Sequence, residues 1–280
     1  MKQNLVSIII PTKNSTRLLG TCLHRLRSQR YKNIEILLVD DGQSKDMHVL
    51  TSLSEKYACT LFLYNPKVKK GLFDATKKRN YAVKKAKGEF IYHFDADMEV
   101  TPNVIQEAVV LCNAGNDAVI VKEDSFGVGL WARTKNLERR FFWGDDTVES
   151  PRFFKKSVWN KLGGYDENIA GGGDDRDIYQ QMLHDGYHVG RTKNFIRHNE
   201  GTLTLWYLMK KQFMYKREVL KYIRKRPEMA LKSFFPIRKT YFTQWRMLVS
   251  RPVDAFLLII MKTAETLAGL YGMLYSLIIS

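Results

Sequence analysis

In the first half of the chain, segments with the apolar pattern of a strand alternate with segments that have the apolar spacing of a helix. Short runs of β-branched and aromatic residues predict five strands: Leu5–Ile10, Ile34–Val39, Thr60–Tyr64, Phe90–Phe94 and Ala118–Val121. Between the first two, apolar residues recur every three or four positions from Leu18 to Leu26, which predicts a helix with one apolar face. Further helices are predicted over Met47–Tyr57, Ala75–Ala86 and Asn103–Cys112. Thr101 and Pro102 fit the N-cap and first position of the last helix.

Strands that alternate with helices in this way predict an α/β fold. We expect a mostly parallel sheet flanked by helices, with a Rossmann-like nucleotide-binding half and a C-terminal helical tail. Ligands of such sheets bind beyond the carboxyl ends of the strands. Three segments follow predicted strands at that edge: Pro11-Thr12-Lys13-Asn14, Asp40-Asp41-Gly42 and Asp95-Ala96-Asp97. Because gathered carboxylates repel one another, a cation or hydrogen-bond donors must compensate them there.

The carboxylates at this edge differ in what they indicate. Asp95 and Asp97 leave a buried strand one residue apart, which directs two hard oxygen ligands toward one cation. Mg²⁺ or Mn²⁺ suits carboxylates combined with the oxygens of a diphosphate. Asp40 and Asp41 precede Gly42 and are equally compatible with an ordinary turn. The sequence therefore predicts a metal site at Asp95 and Asp97.

After Gly201 the pattern changes. From Leu203 to Arg226 aromatic and aliphatic residues are interleaved with Lys and Arg, which is typical of a helix at a membrane interface. The apolar stretch Ala255–Ile279 is long enough to span a bilayer. A polar and small stripe interrupts it at helical spacing, so we expect a helix that lies in the interface or packs on another helix, not a span: Lys262, Glu265, Gly269, Gly272 and Ser276.

The change at Gly201 divides the chain into a catalytic region, 1–201, and a membrane-associating region, 202–280. Its 280 residues are 45% apolar and 26% charged, as in a globular protein that needs no disulfides. The three cysteines, 37 and 53 residues apart, fit neither a zinc site nor a disulfide framework. We expect buried thiols in a reducing compartment. The apolar run at Leu5–Ile10 is too short for a signal peptide, which predicts a cytoplasmic catalytic region.

The net charge of +16 is unevenly distributed. From Trp206 to Arg251 there are thirteen Lys and Arg against two Glu, and Tyr64–Lys87 holds nine Lys and Arg against one Asp. Such basic blocks indicate an anionic partner: nucleic acid, anionic lipid or a phosphorylated substrate. The acidic sheet edge would repel nucleic acid, so we expect no nucleic-acid partner.

Five motifs in order resemble those of the family 2 glycosyltransferases: VSIIIPTKN, VDDG, KKRNYAVKKAKGEFIYHFDAD, GGYDE and DDRDI. The resemblance covers about residues 5 to 200. It implies a GT-A fold, a nucleotide-sugar donor, a divalent cation (Mn²⁺ or Mg²⁺) and usually inversion at the anomeric carbon.

The resemblance also implies roles for individual residues. The donor site would comprise Pro11, Thr12 and Asn14 in the nucleotide pocket, Asp40 or Asp41 on the base or ribose, Arg79 and Asn80 near the diphosphate, and Asp95 on the ribose or sugar. Asp97 would bind the metal with Asp95. His198 would ligate the metal or contact the diphosphate, or be purely structural. Arg79 would otherwise lie on a solvated helix face.

An acidic pair before a helix includes the catalytic base in this family. Asp175 is the first candidate here and Asp174 the second, because the family more often has Glu-Asp and the register is uncertain by one. Gly171-Gly172-Gly173 ahead of them would let the chain approach a ligand closely. Acidic residues at a helix start also suit its dipole, which is the alternative. Trp143 would form an acceptor platform or pack in the core.

These features together predict a hexosyltransferase at the cytoplasmic face of a membrane, peripheral or anchored by its last helix. The donor would be a UDP-, GDP- or dTDP-sugar, and the acceptor a hydroxyl of a lipid-linked or surface glycan. The Gln-x-x-Arg-Trp motif of processive relatives does not follow the acidic cluster, so transfer of one sugar is expected. The alternatives are a polyprenyl-phosphate sugar synthase and a non-catalytic, membrane-bound sugar-nucleotide binding protein.

Overall fold

The computed structural model describes residues 4–67, 74–169, 173–217, 219–234 and 237–279. Within them the elements, in chain order, are β1 (Val6–Pro11), α1 (Thr16–Arg27), β2 (Ile34–Asp40), α2 (Met47–Lys56), β3 (Thr60–Leu63), α3 (Ala75–Lys85), β4 (Phe90–His93), β5 (Met98–Val100), α4 (Val104–Asn113), β6 (Ala118–Val128), α5 (Leu130–Phe141), β7 (Phe153–Lys155), α6 (Lys156–Leu162), α7 (Asp174–His184), β8 (Val189–Thr202), α8 (Leu205–Lys216), α9 (Val219–Lys225), α10 (Pro227–Phe234), α11 (Lys239–Thr243), α12 (Trp245–Ser250) and α13 (Pro252–Ile279).

These strands form one mixed sheet in the order β3-β2-β1-β4-β7-β6-β8-β5. β3, β2, β1 and β4 run parallel to one another. β7 is antiparallel to both β4 and β6, while β8 is parallel to β6 and antiparallel to β5. The expected parallel sheet is thus found in the first half, and the second half is mixed.

The core lies on both faces of β1. Ile8 and Ile10 pack with α1 and α4 on one face, and Ile9 packs with α3 and α7 on the other. All three side chains are fully buried. A central strand covered by helices on both faces has no solvent-facing side, so its sequence is a continuous apolar run rather than an alternating one.

Several elements differ from the sequence prediction. The five predicted strands are present, but β5, β7, β8 and α5 were not predicted. β5 and β7 are only three residues each. β8 is largely polar, and only Thr192, Ile196 and His198 are buried along its fourteen residues. Pairing with β6 and β5, not its own periodicity, makes this segment a strand.

The start of α4 also differs from the prediction. The helix begins at Val104 with Asn103 at the N-cap, not with Pro102 at its first position. The Val104 N–H donates to the Thr101 carbonyl at 3.3 Å, and the Thr101 hydroxyl donates to the Phe195 carbonyl at 2.9 Å. Because that hydroxyl is engaged with the neighbouring strand β8, it does not cap the helix.

The predicted helix from Leu203 to Arg226 is divided. α8 ends at Lys216 and α9 begins at Val219. Lys225 and Arg226 at the end of α9 donate to the Asp177 carboxylate on α7, at 2.7 and 2.8 Å. These ion pairs tie α9 to α7, the helix that begins with the acidic pair.

The polar stripe of α13 faces the rest of the protein. Lys262 donates to Glu138 of α5 at 2.7 Å, and Lys135 of α5 donates to Glu265 at 3.4 Å. Gly272 lies against the backbone of Phe213 in α8. Of the two expected positions for this helix, packing on other helices is the one observed. None of the described helices combines the length and apolar composition needed to cross a membrane.

The three cysteines are free thiols. Cys22 and Cys112 are buried and Cys59 is half-buried. Burial raises the pKa of Cys59 to about 11 and that of Cys112 to about 12, and it also raises the pKa of Cys22. Thiols with raised pKa values are poor nucleophiles, which agrees with a packing role.

Candidate active site

The loops after β1 and β2 are joined through Asp40. The fully buried Asp40 carboxylate accepts hydrogen bonds from the Thr12 hydroxyl at 2.9 Å, the Ser44 hydroxyl at 2.8 Å and the Gly42 N–H at 3.0 Å. Three donors leave this carboxylate little capacity for a ligand. The geometry therefore makes Asp40 and Thr12 organisers of the predicted nucleotide pocket.

Asn14 and Asp41 belong to the same two loops. Asn14 is left-handed, with φ 50°, its N–H donates to Ser44 at 2.8 Å, and its side-chain oxygen accepts from the Lys45 N–H at 2.9 Å. Asp41 pairs with the half-exposed Lys13 at 2.8 Å. Burial opposes ionisation of Asp41, but Lys13 and the Gln43 N–H outweigh it and lower its pKa. Pro11, half-buried at the end of β1, leads into this loop.

Helix α3 contacts the loop after β1. Lys78, fully buried, donates to the Thr12 carbonyl at 2.9 Å and pairs with Asp74 at 2.7 Å. Asn80 donates to the Tyr165 carbonyl at 2.8 Å and accepts from its N–H at 3.1 Å. Asn80 therefore binds the backbone next to the glycine turn at Gly164. Lys78 is the residue of this helix that holds the loop after β1, and sequence reasoning missed it.

Asp95 lies between two guanidinium groups. Arg79 donates to one of its oxygens at 2.5 Å and Arg152 to the other at 3.1 Å. Burial would raise the pKa of Asp95, but the two arginines outweigh it and hold this pKa well below its usual range. Arg79 therefore faces the site and not solvent, and Asp95 is permanently ionised at neutral pH.

Asp97 and His198, 101 residues apart, meet where β5 pairs with β8. The His198 Nε2 lies 2.9 Å from the Asp97 carboxylate, and its Nδ1 lies 2.8 Å from the guanidinium of Arg139. Because a guanidinium can only donate, Nδ1 accepts and the ring proton resides on Nε2, where it is donated to Asp97. Asp97, the predicted metal ligand, is therefore in contact with His198, which was predicted to bind the metal or the diphosphate.

The donor set at this point fits a divalent cation in part. Asp97 is 42% exposed and offers a carboxylate oxygen, whereas the Nε2 of His198 would have to give up the proton that it donates to Asp97 before it could bind a cation. In the described ranges, no group of three or more His, Cys, Asp or Glu is placed to hold a metal ion. An ion here would need the oxygens of a bound diphosphate and water to complete its coordination, as Mg²⁺ commonly does. Asp95 faces its two arginines instead.

The two aspartates at the start of α7, Asp174 and Asp175, lie in different environments. Asp174 is buried and accepts from the Thr76 hydroxyl at 2.5 Å. Burial and the neighbouring Asp175 carboxylate raise the pKa of Asp174. Asp175 is half-buried and borders a cavity, so it is the member of the pair that a substrate can reach. Gly171 and Gly172 lie outside the described residues.

That cavity, of about 350 Å³, brings the separate parts together. Asp95, Asp175 and His198 all line it, although they come from three distant segments. Trp143 forms part of the wall, and its indole N–H donates to the Glu123 carbonyl at 2.6 Å. Half-buried in that wall, Trp143 is available to an acceptor without being an open platform.

Sequence reasoning missed most of the charged lining of this cavity. The missed residues are Glu123, Lys135, Arg139, Glu149, Arg152, Arg176, Glu200, Lys211 and Lys216. Apart from Arg176, which lies within the motif DDRDI but was given no role, none of them belongs to a motif. The one available signal was a charged residue beside a buried apolar run, as Arg152 stands directly before Phe153 and Phe154.

Comparisons with known proteins agree with this architecture. The structure resembles that of a mannosyltransferase from Pyrobaculum calidifontis, determined with GDP-mannose and Mn²⁺, with a TM-score of 0.64, 16% identity and coverage of 98% of this chain and 88% of that one. A glycosyltransferase of Streptococcus pneumoniae, GlyG, is 30% identical over 36% of this chain and 33% of its own length. A β-1,3-glucosyltransferase of Campylobacter jejuni, named for the acceptor GalNAc(5)-diNAcBac-PP-undecaprenol, is 26% identical over 55% of this chain and 52% of its own.

The chain thus spans about a third to a half of the length of these two curated relatives. The structural likeness establishes the GT-A type of fold. Residues 7–224, well over half of the chain, match the family described as glycosyl transferase family 2. The chain belongs to glycosyl transferase family 2.

Proposed function

We propose that this glycosyltransferase moves a single hexose from a nucleotide-sugar to an acceptor hydroxyl, with inversion and with the help of a divalent cation. The observation that carries the proposal is the cavity in which Asp175 faces Asp95 and His198 at the end of the sheet. Ligands of α/β sheets bind at this position. Such a transfer needs a general base, a carboxylate that contacts the donor and a metal ligand. Asp175, Asp95 and His198 are the candidates for these roles around one cavity.

The donor would bind in the loops after β1 and β2. Thr12, Asn14 and Asp41 shape the nucleotide pocket, and Arg79 lies next to Asp95 at its inner end. Asp97 would hold the metal ion, with His198 as a further ligand once its Nε2 has lost its proton, and the ion would supply positive charge beside the leaving diphosphate. Asp95, kept ionised by Arg79 and Arg152, can accept hydrogen bonds from sugar hydroxyls at all physiological pH values.

Asp175 would act as the general base. A sugar hydroxyl is a weak nucleophile at neutral pH, so its proton must leave as the bond to the anomeric carbon forms. Asp175 borders the cavity, whereas the Asp174 carboxylate is buried against Thr76. Attack from the Asp175 side, opposite the leaving diphosphate, inverts the anomeric carbon.

The test is donor hydrolysis and binding with UDP-, GDP- and dTDP-sugars in the presence of Mn²⁺, Mg²⁺ or EDTA. We expect one donor to be turned over with metal only, and Asp97→Ala to lose that turnover. Asp185→Asn, an exposed carboxylate at the far end of α7, is the matched control and should keep it. If no donor binds with either metal, the proposal is wrong. Sugar transfer onto geranyl phosphate itself would favour a polyprenyl-phosphate sugar synthase.

The same proposal places the protein on the cytoplasmic face of a membrane with anionic lipid. The outer side of α13 carries ten large apolar residues, each at least 37% exposed: Val253, Phe256, Ile259, Ile260, Leu267, Leu270, Tyr271, Leu274, Leu277 and Ile278. At about 100° per residue they occupy one side of the helix. Exposed apolar surface of this extent marks an interaction site. The basic segment from Trp206 to Arg251 complements anionic headgroups.

A further inference from the structure

A chain of charged side chains joins Asp95 to His198 along the wall of the cavity. Arg152 donates to Asp95 at 3.1 Å and, through its Nε, to the Oε1 of Glu123 at 2.6 Å. Arg139 donates to the Oε2 of Glu123, and its other terminal nitrogen lies 2.8 Å from the Nδ1 of His198. Glu123 is therefore the middle member of this chain, and each of its oxygens is held by a different arginine.

The backbone holds Glu123 in a fixed place. This residue lies on β6, where it is paired with Ile196 of β8. Its carbonyl accepts the indole N–H of Trp143 at 2.6 Å, and its side chain is only 14% exposed. A buried carboxylate on a paired strand is a firm point from which two long arginine side chains can be oriented.

The charges favour the same arrangement. Arg139 and Arg152 repel one another, and the negative charge of Glu123 between them compensates both. Burial would raise the pKa of Glu123, but the two arginines outweigh it and lower this pKa. An ionised carboxylate accepts hydrogen bonds from both arginines at once, whereas an amide at the same place can accept at one of its two ends only.

The two arginines act on different parts of the proposed site. Arg152 binds one oxygen of Asp95 and so fixes the orientation of the carboxylate that we propose to contact the donor. Arg139 donates to the Nδ1 of His198 and so keeps the ring proton on Nε2. Without the carboxylate of Glu123 between them, neither arginine would be held in its present position.

We infer that Glu123 is a positioning residue for both sides of the active site. It orients Asp95 through Arg152, and it orients His198 through Arg139. This assignment rests on the proposed function and deepens it. One carboxylate, whose two oxygens are already engaged, sets the group that meets the donor and the group beside the diphosphate at the same time.

The experiment compares Glu123→Met, which offers no acceptor, with Arg152→Met and Arg139→Met, which each break one side of the chain. The first readout is the KM for whichever donor wild type hydrolyses with metal among UDP-glucose, UDP-N-acetylglucosamine, GDP-mannose and dTDP-glucose. The second is the imidazole nitrogen NMR spectrum of His198 in metal-free protein with EDTA, which distinguishes the two ring tautomers. Thermal unfolding shows that each variant is folded.

Glu123→Met should raise the donor KM about tenfold and also populate the second tautomer of His198, because it releases both arginines. Arg152→Met should raise the KM and leave the His198 spectrum unchanged, and Arg139→Met should do the reverse. Adding Glu123→Met to Arg152→Met should raise the KM no further, since Glu123 acts on the donor side only through that arginine.

Glu107→Met is the matched control. Glu107 is likewise half-buried and accepts three hydrogen bonds from Lys193 and Asn194, at 2.6 to 3.0 Å, but it is not part of the cavity wall. It should change neither readout.

A Glu123→Met protein that is less stable but has the KM and the His198 spectrum of wild type would overturn the assignment. A further rise in KM in the double variant would overturn it too, because Glu123 would then touch the donor itself. If Glu123→Met does not fold, Glu123→Gln takes its place and must change at least one readout, since its amide can accept from one arginine only. The His198 spectrum requires no donor, so failure of this assignment and failure of the proposed function are distinguishable.

Discussion

At the scale of single residues, the site separates carboxylates that are held by the protein from carboxylates that a ligand can reach. Asp40 and Asp174 are buried and bonded to neighbouring hydroxyls. Asp97 is 42% exposed, and Asp175 borders the cavity. Asp95 lies between these classes, since two arginines bind it while it lines the cavity. Aspartates that look alike in the sequence therefore lie in different environments, because their neighbouring side chains differ.

Asp175→Asn should remove most of the sugar transfer while the donor still binds. The amide keeps the size of the carboxylate but cannot accept the proton of the acceptor, and general bases contribute about 10²- to 10⁴-fold. We expect a fall of that size in kcat for transfer to an acceptor, with donor affinity unchanged. Asp185→Asn on the same helix serves as the control. A variant that keeps full kcat would exclude Asp175 as the base.

Lys216→Met should stabilise the fold near neutral pH. Burial among cations lowers the pKa of Lys216 to about 6 in the folded state, from an ordinary value of 10.5. Between these values the unfolded chain binds more protons, so this lysine destabilises the fold most below pH 6, and the penalty disappears as pH rises toward 10.5.

The measurement is thermal unfolding of wild type and Lys216→Met from pH 6.5 to 10. We expect the variant to be more stable by an amount on the order of 1 kcal/mol near pH 7, with an advantage that shrinks as pH rises. An advantage that is constant across this range would contradict the depressed pKa. Lys210→Met controls for the loss of a surface charge.

At the scale of elements, two pairings assemble the site. The register of β5 against β8 sets Met98 opposite His198 and thereby brings Asp97 to the imidazole. The packing of α13 on α5 and α8 encloses a cavity of about 220 Å³ between these helices. Neither contact is local in sequence, and both join residues more than fifty positions apart.

Gly272→Ala should loosen α13 from α8. A Cβ at Gly272 would overlap the backbone of Phe213, which cannot move as a side-chain end can, so the two helices must separate. We expect a loss of about 1 to 3 kcal/mol in the free energy of unfolding, measured by urea denaturation. Gly20→Ala in α1 is the matched control, because its new Cβ would meet only Leu53 at 3.6 Å. That change should be neutral or stabilising by about 0.5–1 kcal/mol. Equal effects of the two changes would exclude close helix packing at Gly272.

At the scale of the whole molecule, α13 is arranged opposite to the usual surface helix. Its charged and small residues face the protein, and its large apolar residues face outward. Helices α8, α11 and α12 also carry exposed aromatic residues: Trp206, Tyr207, Phe242 and Trp245. The polar side of α13 therefore forms ion pairs within the protein. Its apolar side stays exposed and can contact a second apolar phase.

The protein should therefore bind vesicles that contain phosphatidylglycerol, and bind pure phosphatidylcholine vesicles more weakly. Replacing Ile259, Leu267 and Leu274 together by Ser removes three outward apolar side chains, each worth about 1.5 to 3 kcal/mol when fully buried. We expect vesicle binding in a flotation assay to fall at least about tenfold.

The control replaces three exposed apolar residues elsewhere, Leu63, Val110 and Leu183, by Ser. It should float with the vesicles as wild type does. Protein that stays unbound at every lipid composition would contradict a membrane surface as the partner of α13.

The sequence by itself determined the parts of this protein that depend on local patterns. Continuous apolar runs predicted β1, β2 and β4, because strands buried on both faces have no polar side. Ordered motifs predicted the family and the positions of Asp95, Asp97 and Asp175, because these residues directly follow strands or begin a helix. The stripe on α13 predicted that one side of the last helix is polar, since helical spacing alone assigns residues to a side.

Only the tertiary structure decided what each of these residues contacts. The resemblance put Asp175 ahead of Asp174 with the register uncertain by one, and the burial of Asp174 against Thr76 distinguishes the two. Arg152, Arg139 and Lys216 carry no motif, because their positions in the cavity depend on strand pairing and helix packing between distant segments. The polar stripe of α13 likewise allowed either a membrane interface or a protein contact, and the carboxylate of Glu138 in α5 decided it by its ion pair with Lys262.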